Sequence, residues 1–253
     1  MSKSRKRSYH TTQLEDLTAA FFKNGQAMNE GPKRKTWNKY DLKTIKPLTT
    51  TQKEMFHSFF NGQQICAHGS AGTGKTFIAI YLALNEMLVA QKVDRIIIVR
   101  SAVPTRDMGY MKGTLEEKEA LYEVPYDEMF AELLGRNNSY QDMKQAGVVR
   151  FCSTSYVRGL TWDNAVVVVD EAQNMTFHEI NSIITRLGQN SRIILLGDLH
   201  QNDLVNRREQ TGLDMLIKVA DHMDAFDVIR FTKHDIVRSD FVKSWICACE
   251  EAA

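Results

Sequence analysis

The residues best equipped for chemistry lie together at Gly69, Ser70, Ala71, Gly72, Thr73, Gly74, Lys75 and Thr76. They satisfy the pattern G-x-x-x-x-G-K-[ST], between an apolar strand-like run at Gln64–Ala67 and a helical pattern near 75–90. Glycines there let the backbone curl until its N–H groups converge on phosphate oxygens, and the following helix adds its positive dipole end. Lys75 supplies a point charge between β- and γ-phosphates, and Thr76 offers a hydroxyl to Mg²⁺. The implied ligand is ATP with magnesium. A chance glycine-rich turn is the alternative, and the flanking strand and helix argue against it.

A second constellation is Val166-Val-Val-Val-Asp170-Glu171-Ala-Gln173. An acidic residue at the carboxyl end of a buried strand faces the ligand crevice of an open α/β sheet. Asp170 is thereby a candidate for holding Mg²⁺ through water, and Glu171 for general base toward an attacking water. The bland alternative is that the pair only caps the next helix. Further on, Ile193-Ile-Leu-Leu-Gly197-Asp198 leads to Gln201, which could reach the γ-phosphate and report its loss. Gln52 could read an adenine edge through its amide, or be a surface residue in a helix's first turn. Arg238 follows the last strand, where a guanidinium could stabilise charge on the transferring phosphoryl group; a surface arginine at a helix start is the alternative. Arg100, Arg106, Lys112 and Arg158 fall in loops after strands and could meet nucleic-acid phosphates.

These groups need a frame. Strand-like runs occur at 64–67, 95–99, 148–152, 165–169, 192–196 and 228–231. Several lack polar alternation, as in Ile96-Ile-Ile-Val99, which indicates strands buried on both faces. Helical stretches lie near 75–90, 115–145 with breaks at Pro125 and Gly135, 176–187, 211–221 and 239–251. Capping boxes at Thr12/Glu15 and Thr51/Glu54 open two earlier helices. The fold class is α/β: one P-loop NTPase core with a parallel β-sheet between helices, over residues 49–253, preceded by a basic N-terminal extension and linker, 1–48.

Composition sets the outer limits. At 253 residues, 43% apolar and 25% charged, the chain has the make-up of an ordinary soluble globular protein. No apolar run is long enough to span a membrane, and the basic start lacks a signal peptide's apolar core. The four cysteines show no metal-ligand spacing, which fits reduced thiols in a cytoplasmic protein. Net charge is +1, yet residues 1–48 carry 11 Lys/Arg against 4 Asp/Glu. Such an arm suggests an anionic partner, nucleic acid first; a solvated tail is the alternative.

Several motifs then coincide in order: Pro47-Leu-Thr-Thr-Thr-Gln52, the loop at 69–76, Arg100-Ser-Ala-Val-Pro-Thr-Arg106 with Met108-Gly-Tyr-Met-Lys-Gly113, Tyr156-Val-Arg158-Gly159, Asp170-Glu-Ala-Gln-Asn174, Gly197-Asp198-x-x-Gln201 and Asp235-Ile-Val-Arg238. Together they resemble the PhoH-like family, phosphate-starvation-inducible ATPases related to superfamily 1 helicases, over about residues 45–245. The resemblance implies a single RecA-like core, an adenine-motif role for Gln52, a motif III role for Gln201 and a finger role for Arg238. It places the stretch from Ser101 to Arg106 against single-stranded nucleic acid. It also implies a homo-oligomer, a ring and in some cases a hexamer. Two departures stand out. The chain is too short for the second RecA-like domain that closes over ATP in helicases, and no RNA-binding or PIN nuclease domain is expected. The basic arm has no counterpart in the family pattern.

The leading expectation is a Mg-dependent ATPase coupled to single-stranded RNA or DNA as a helicase or translocase. A second is an ATP-gated module that binds nucleic acid or a protein with little turnover. A kinase is disfavoured, because a base beside the magnesium ligand suits water as nucleophile.

Overall fold

The structure, a computed structural model, describes residues 37–101, 115–154, 157, 159, 161–198 and 211–252. Gln201, Arg106, Lys112, Arg158 and the Thr12/Glu15 capping box lie outside the described residues.

Helix α1 (Thr50–Phe60) leads into β1 (Gln64–Gly69), α2 (Lys75–Leu88) and β2 (Arg95–Arg100). Then come α3 (Leu115–Leu134), α4 (Ser139–Gln145), β3 (Val149–Ser153) and β4 (Ala165–Asp170). The chain closes with α5 (Phe177–Ile184), β5 (Arg192–Gly197), α6 (Leu213–Ala220), β6 (Phe226–Phe231) and α7 (Asp240–Ala252). The six strands form one sheet in the order β3-β2-β4-β5-β1-β6. Every pairing in it is parallel.

Unalternating apolar strands are explained by two cores. Ile96, Ile98, Val166, Val168, Ile194 and Leu196 pack with residues of α1 to α4 on one face. Ile97, Val99, Val167, Val169, Ile193 and Leu195 pack with α5 and α6 on the other. Each neighbour in sequence serves the opposite layer, so both must be apolar. With every strand parallel, all carboxyl ends open on one edge. Gly69, Arg100, Asp170 and Gly197 therefore end up side by side in space.

Three local expectations change. The Thr51/Glu54 box is not used: Thr49 is the N-cap, and its side chain accepts from Gln52 N. Pro125 does not break α3, which runs through it to Leu134. Tyr126, Phe130, Leu133 and Leu134 are buried together at helical spacing. That packing offsets the roughly 3 kcal/mol an interior proline costs. Finally, residues 37–48 join the body: Leu42 is buried, Trp37 packs on the core, and Lys43 N donates to Leu133 O.

Candidate nucleotide site

The loop between β1 and α2 is held open by its glycines. Gly69 has φ +124°, and a Cβ there would lie 1.8 Å from Phe231 O, so β6 admits only glycine at that point. Gly74, at φ +80°, turns the chain into α2. Lys75 then projects back over the loop, donating to Gly69 O at 2.8 Å and Ser70 O at 2.7 Å. Thr73 Oγ1 accepts from it at 3.3 Å. Its partners are neutral oxygens and the Phe231 ring, 5.8 Å away, and among the described residues it has no ion pair. Burial lowers the ammonium's pKa, against the pull of Asp198, Asp170 and Glu171. A desolvated cation resting on carbonyls is the state an incoming anion would relieve.

Asp170 ends β4 beside it. Its Oδ1 accepts from Thr76 Oγ1 at 3.1 Å and from Glu171 N at 3.1 Å. Thr76 and Asp170 thus present two oxygens together at the mouth of a cleft of about 220 Å³, lined also by Ala71 to Lys75, Glu171, Asp198 and Arg238. A hydroxyl and a carboxylate so placed fit a hard divalent cation carried on a triphosphate, with water completing its shell.

Glu171 sits in the left-handed region at φ 56°, ψ 41°. That conformation costs a non-glycine residue about 1–3 kcal/mol and is retained where surroundings over-determine it. Here Gln173 Nε2 donates to Glu171 Oε2 at 2.5 Å, while Gln173 Oε1 accepts from Asp198 N at 3.0 Å. Burial first, then the charge of Asp170, raises the Glu171 pKa above the ordinary glutamate range. The pair does not cap a helix with its side chains; Glu171 makes no side-chain cap bond.

Other expected residues come out differently. Arg238 is exposed, but its Cγ would lie 3.1 Å from a Cβ on Gly72, and Val237 N donates to Gly72 O. Arg238 thus lines the cleft beside the loop. Asp235 is buried and accepts from Thr232 N and Oγ1, and the nearby Thr51 and Thr49 hydroxyls at the start of α1 help hold its pKa low. Gln52 is buried rather than on the surface. Its Nε2 donates to Thr73 O at 3.0 Å and its Oε1 accepts from Leu48 N at 2.7 Å. Each end of the amide has one partner, which leaves one N–H and one lone pair for an adenine edge. It borders a second cavity of about 770 Å³, walled by Leu48, Phe56, Phe77, Met129 and Val237. Arg100, expected to face a phosphate backbone, turns inward instead: its guanidinium lies over the Tyr122 ring and 3.9 Å from Glu171 Oε1.

Sequence reasoning missed Gln173 and Tyr126. Gln173 stood in a quoted motif, and burial at the end of a hydrophobic strand was its signal. Tyr126 had none, since it sits mid-helix 44 residues before Asp170, its hydrogen-bond partner at 2.8 Å.

The model of the PhoH-like protein family matches residues 44–250. The chain belongs to the PhoH-like family. A PhoH-like protein of Mycobacterium leprae is 34% identical over 215 residues, covering 83% of this chain and 59% of that protein. Protein PhoH of Escherichia coli K12 is 34% identical over 204 residues, 79% of this chain and 57% of that protein. The chain thus spans under two thirds of these relatives' length. Among solved structures, the Pif1 helicase from Candida albicans has TM-score 0.39 at 15% identity, covering 74% of this chain and 40% of that one. The DUF1998 helicase MrfA bound to DNA has TM-score 0.45 at 13% identity, covering 73% and 26%. Family membership and the P-loop set on a parallel sheet make this PhoH-like chain a P-loop NTPase in kind. No helix among the described residues is long and apolar enough to cross a membrane.

Proposed function

We propose that this PhoH-like chain hydrolyses ATP with Mg²⁺ and couples the reaction to single-stranded RNA or DNA. The observation that carries the reading is one cleft that gathers Lys75, Thr76, Asp170, Glu171 and Arg238. Thr76 and Asp170 would hold the magnesium ion, which when bound neutralises phosphate charge and draws it toward the leaving oxygen. The loop's N–H groups and Lys75 bind and orient the phosphates. Glu171, with its raised pKa, takes a proton from water, and Gln173 holds its carboxylate toward the cleft. Arg238 approaches the loop at Gly72 and stabilises charge developing on the transferred group. Gln201 is the proposed γ-phosphate reporter after β5. The base lies in the apolar cavity beside Gln52.

The nucleic-acid partner is supported by the excess of basic residues in 1–48. We infer also that the chain works as a homo-oligomer: Phe241 and Trp245, one turn apart on α7, are 78% and 64% exposed and offer a face to a second copy. Sedimentation tests that point directly, a monomer at micromolar concentration counting against it.

The decisive measurement is phosphate release with and without single-stranded RNA and DNA. Turnover raised by nucleic acid supports the coupled ATPase. ATP-dependent binding with negligible turnover would favour the gated module instead. Deleting residues 1–36, which spares the packed segment around Leu42, should weaken nucleic-acid affinity and flatten its salt dependence. An unchanged slope would reduce the arm to a solvated tail.

A further inference from the structure

Asp170 is fixed on both oxygens, and the second is held from an unexpected direction. While Oδ1 faces Thr76 and the Glu171 N–H, Oδ2 accepts from Tyr126 Oη at 2.8 Å. Tyr126 is fully buried on α3, its ring 5.9 Å from that of Phe151. The Arg100 charge also acts on this hydroxyl. A carboxylate can only accept, so the tyrosine proton points to Asp170 Oδ2. Arg100 is itself aligned by strand pairing, opposite Asp170 in the β2–β4 register, and by the Tyr122 ring above it. Tyr122 and Tyr126 are four residues apart on one face of α3, and both meet Arg100.

We propose that Tyr126 is a positioning residue for the divalent cation, fixing the carboxylate plane of Asp170 so that Oδ1 stays beside Thr76. The inference rests on the reading of Thr76 and Asp170 as the magnesium pair. Without the hydroxyl, Oδ2 loses its donor and the carboxylate is free to rotate, including toward Arg100. Partners that orient a ligating carboxylate typically matter about 10–100-fold for metal affinity or activity.

The test uses Mn²⁺ as probe, followed by its free-ion electron paramagnetic resonance signal in titrations of the full chain with ADP. Tyr126→Phe keeps the ring and removes only the hydroxyl. Its half-saturating Mn²⁺ concentration should rise roughly tenfold, while ADP affinity measured in a chelator stays at the wild-type value. Phe151→Leu disturbs the packing around the same ring without touching Asp170; it should lower the melting temperature and leave Mn²⁺ affinity alone. Equal Mn²⁺ affinity in wild type and Tyr126→Phe overturns the inference, whatever happens to turnover. So does a Phe151→Leu shift as large as that of Tyr126→Phe. Failure of the wild-type chain with ADP to take up Mn²⁺ would instead remove the magnesium pair itself.

Discussion

The two ends of helix α2 carry charge in opposite ways. At its last turn Glu86, 2% exposed, pairs with Arg192 Nη1 at 3.0 Å. Arg192 Nη2 also donates to Phe59 O at 2.6 Å and Gln63 O at 2.8 Å, and the guanidinium lies 3.6 Å over the Phe59 ring. At its first turn Lys75 rests on backbone carbonyls, beside an acidic pair that does not reach it, around a cleft. One end is closed: opposite charges are matched and a ring covers them. The other is open, with a cation and carboxylates kept apart at the rim of a cavity. Buried charge alone does not distinguish structure from function; a cation without an ion pair beside a cavity does.

That contrast predicts opposite phenotypes. The largest functional effect belongs to Lys75→Ala, which should reduce hydrolysis by at least about 10²-fold and weaken nucleotide binding. Its melting temperature should hold or rise, since a desolvated cation is removed. Phosphate release and calorimetric binding, read beside a melting curve, check both halves. A clear loss of stability would mean that Lys75 is part of the scaffold.

Glu171→Gln comes next. It should retain ATP binding and lose roughly 10²–10⁴-fold in turnover; full activity would sink its role as base. The pH profile sharpens this. Glu171 is active when deprotonated, and its pKa is raised by burial and by Asp170. Activity should therefore fall as pH drops through a value above the ordinary glutamate range, and an acid limb at the unperturbed position would count against the assignment.

At the closed end, Arg192→Leu should leave turnover per folded molecule unchanged and cost about 3–5 kcal/mol of stability. The cost arises because Glu86 would remain buried, with Lys92, largely exposed, 3.8 Å away as its remaining partner. Urea unfolding measures the loss.

The same contrast separates what the sequence made legible from what it did not. Local patterns carried the open end: Gly69 to Thr76, the valines before Asp170 and the strand ends are each readable within a few residues. Every strand begins within two residues of its expected start, and β1 to β5 run one or two further at their carboxyl ends, because backbone pairing continues past the last apolar side chain. The relations that cross the chain were not legible. Arg100 looked like a loop cation, yet parallel pairing with β4 turns it toward the acidic pair. Tyr126 follows a proline expected to end its helix, and only packing reveals that the helix continues. Glu86 and Arg192 are 106 residues apart, and no local pattern announces their pairing.

The smallest effect should fall on Gln52, which stands between the two extremes. It is buried and matched at both ends, as Arg192 is, but one of its partners is the loop itself at Thr73 O. Gln52→Ala would leave Leu48 N and Thr73 O without this partner, a loss of about 1–3 kcal/mol if both stay buried. If Gln52 braces the loop, that loss should appear in stability and in affinity for inorganic triphosphate, a ligand with no base. If it reads adenine, triphosphate affinity should be untouched while preference for ATP over GTP declines. Comparing the three ligands on one variant decides whether this residue belongs with the closed end of α2 or the open one.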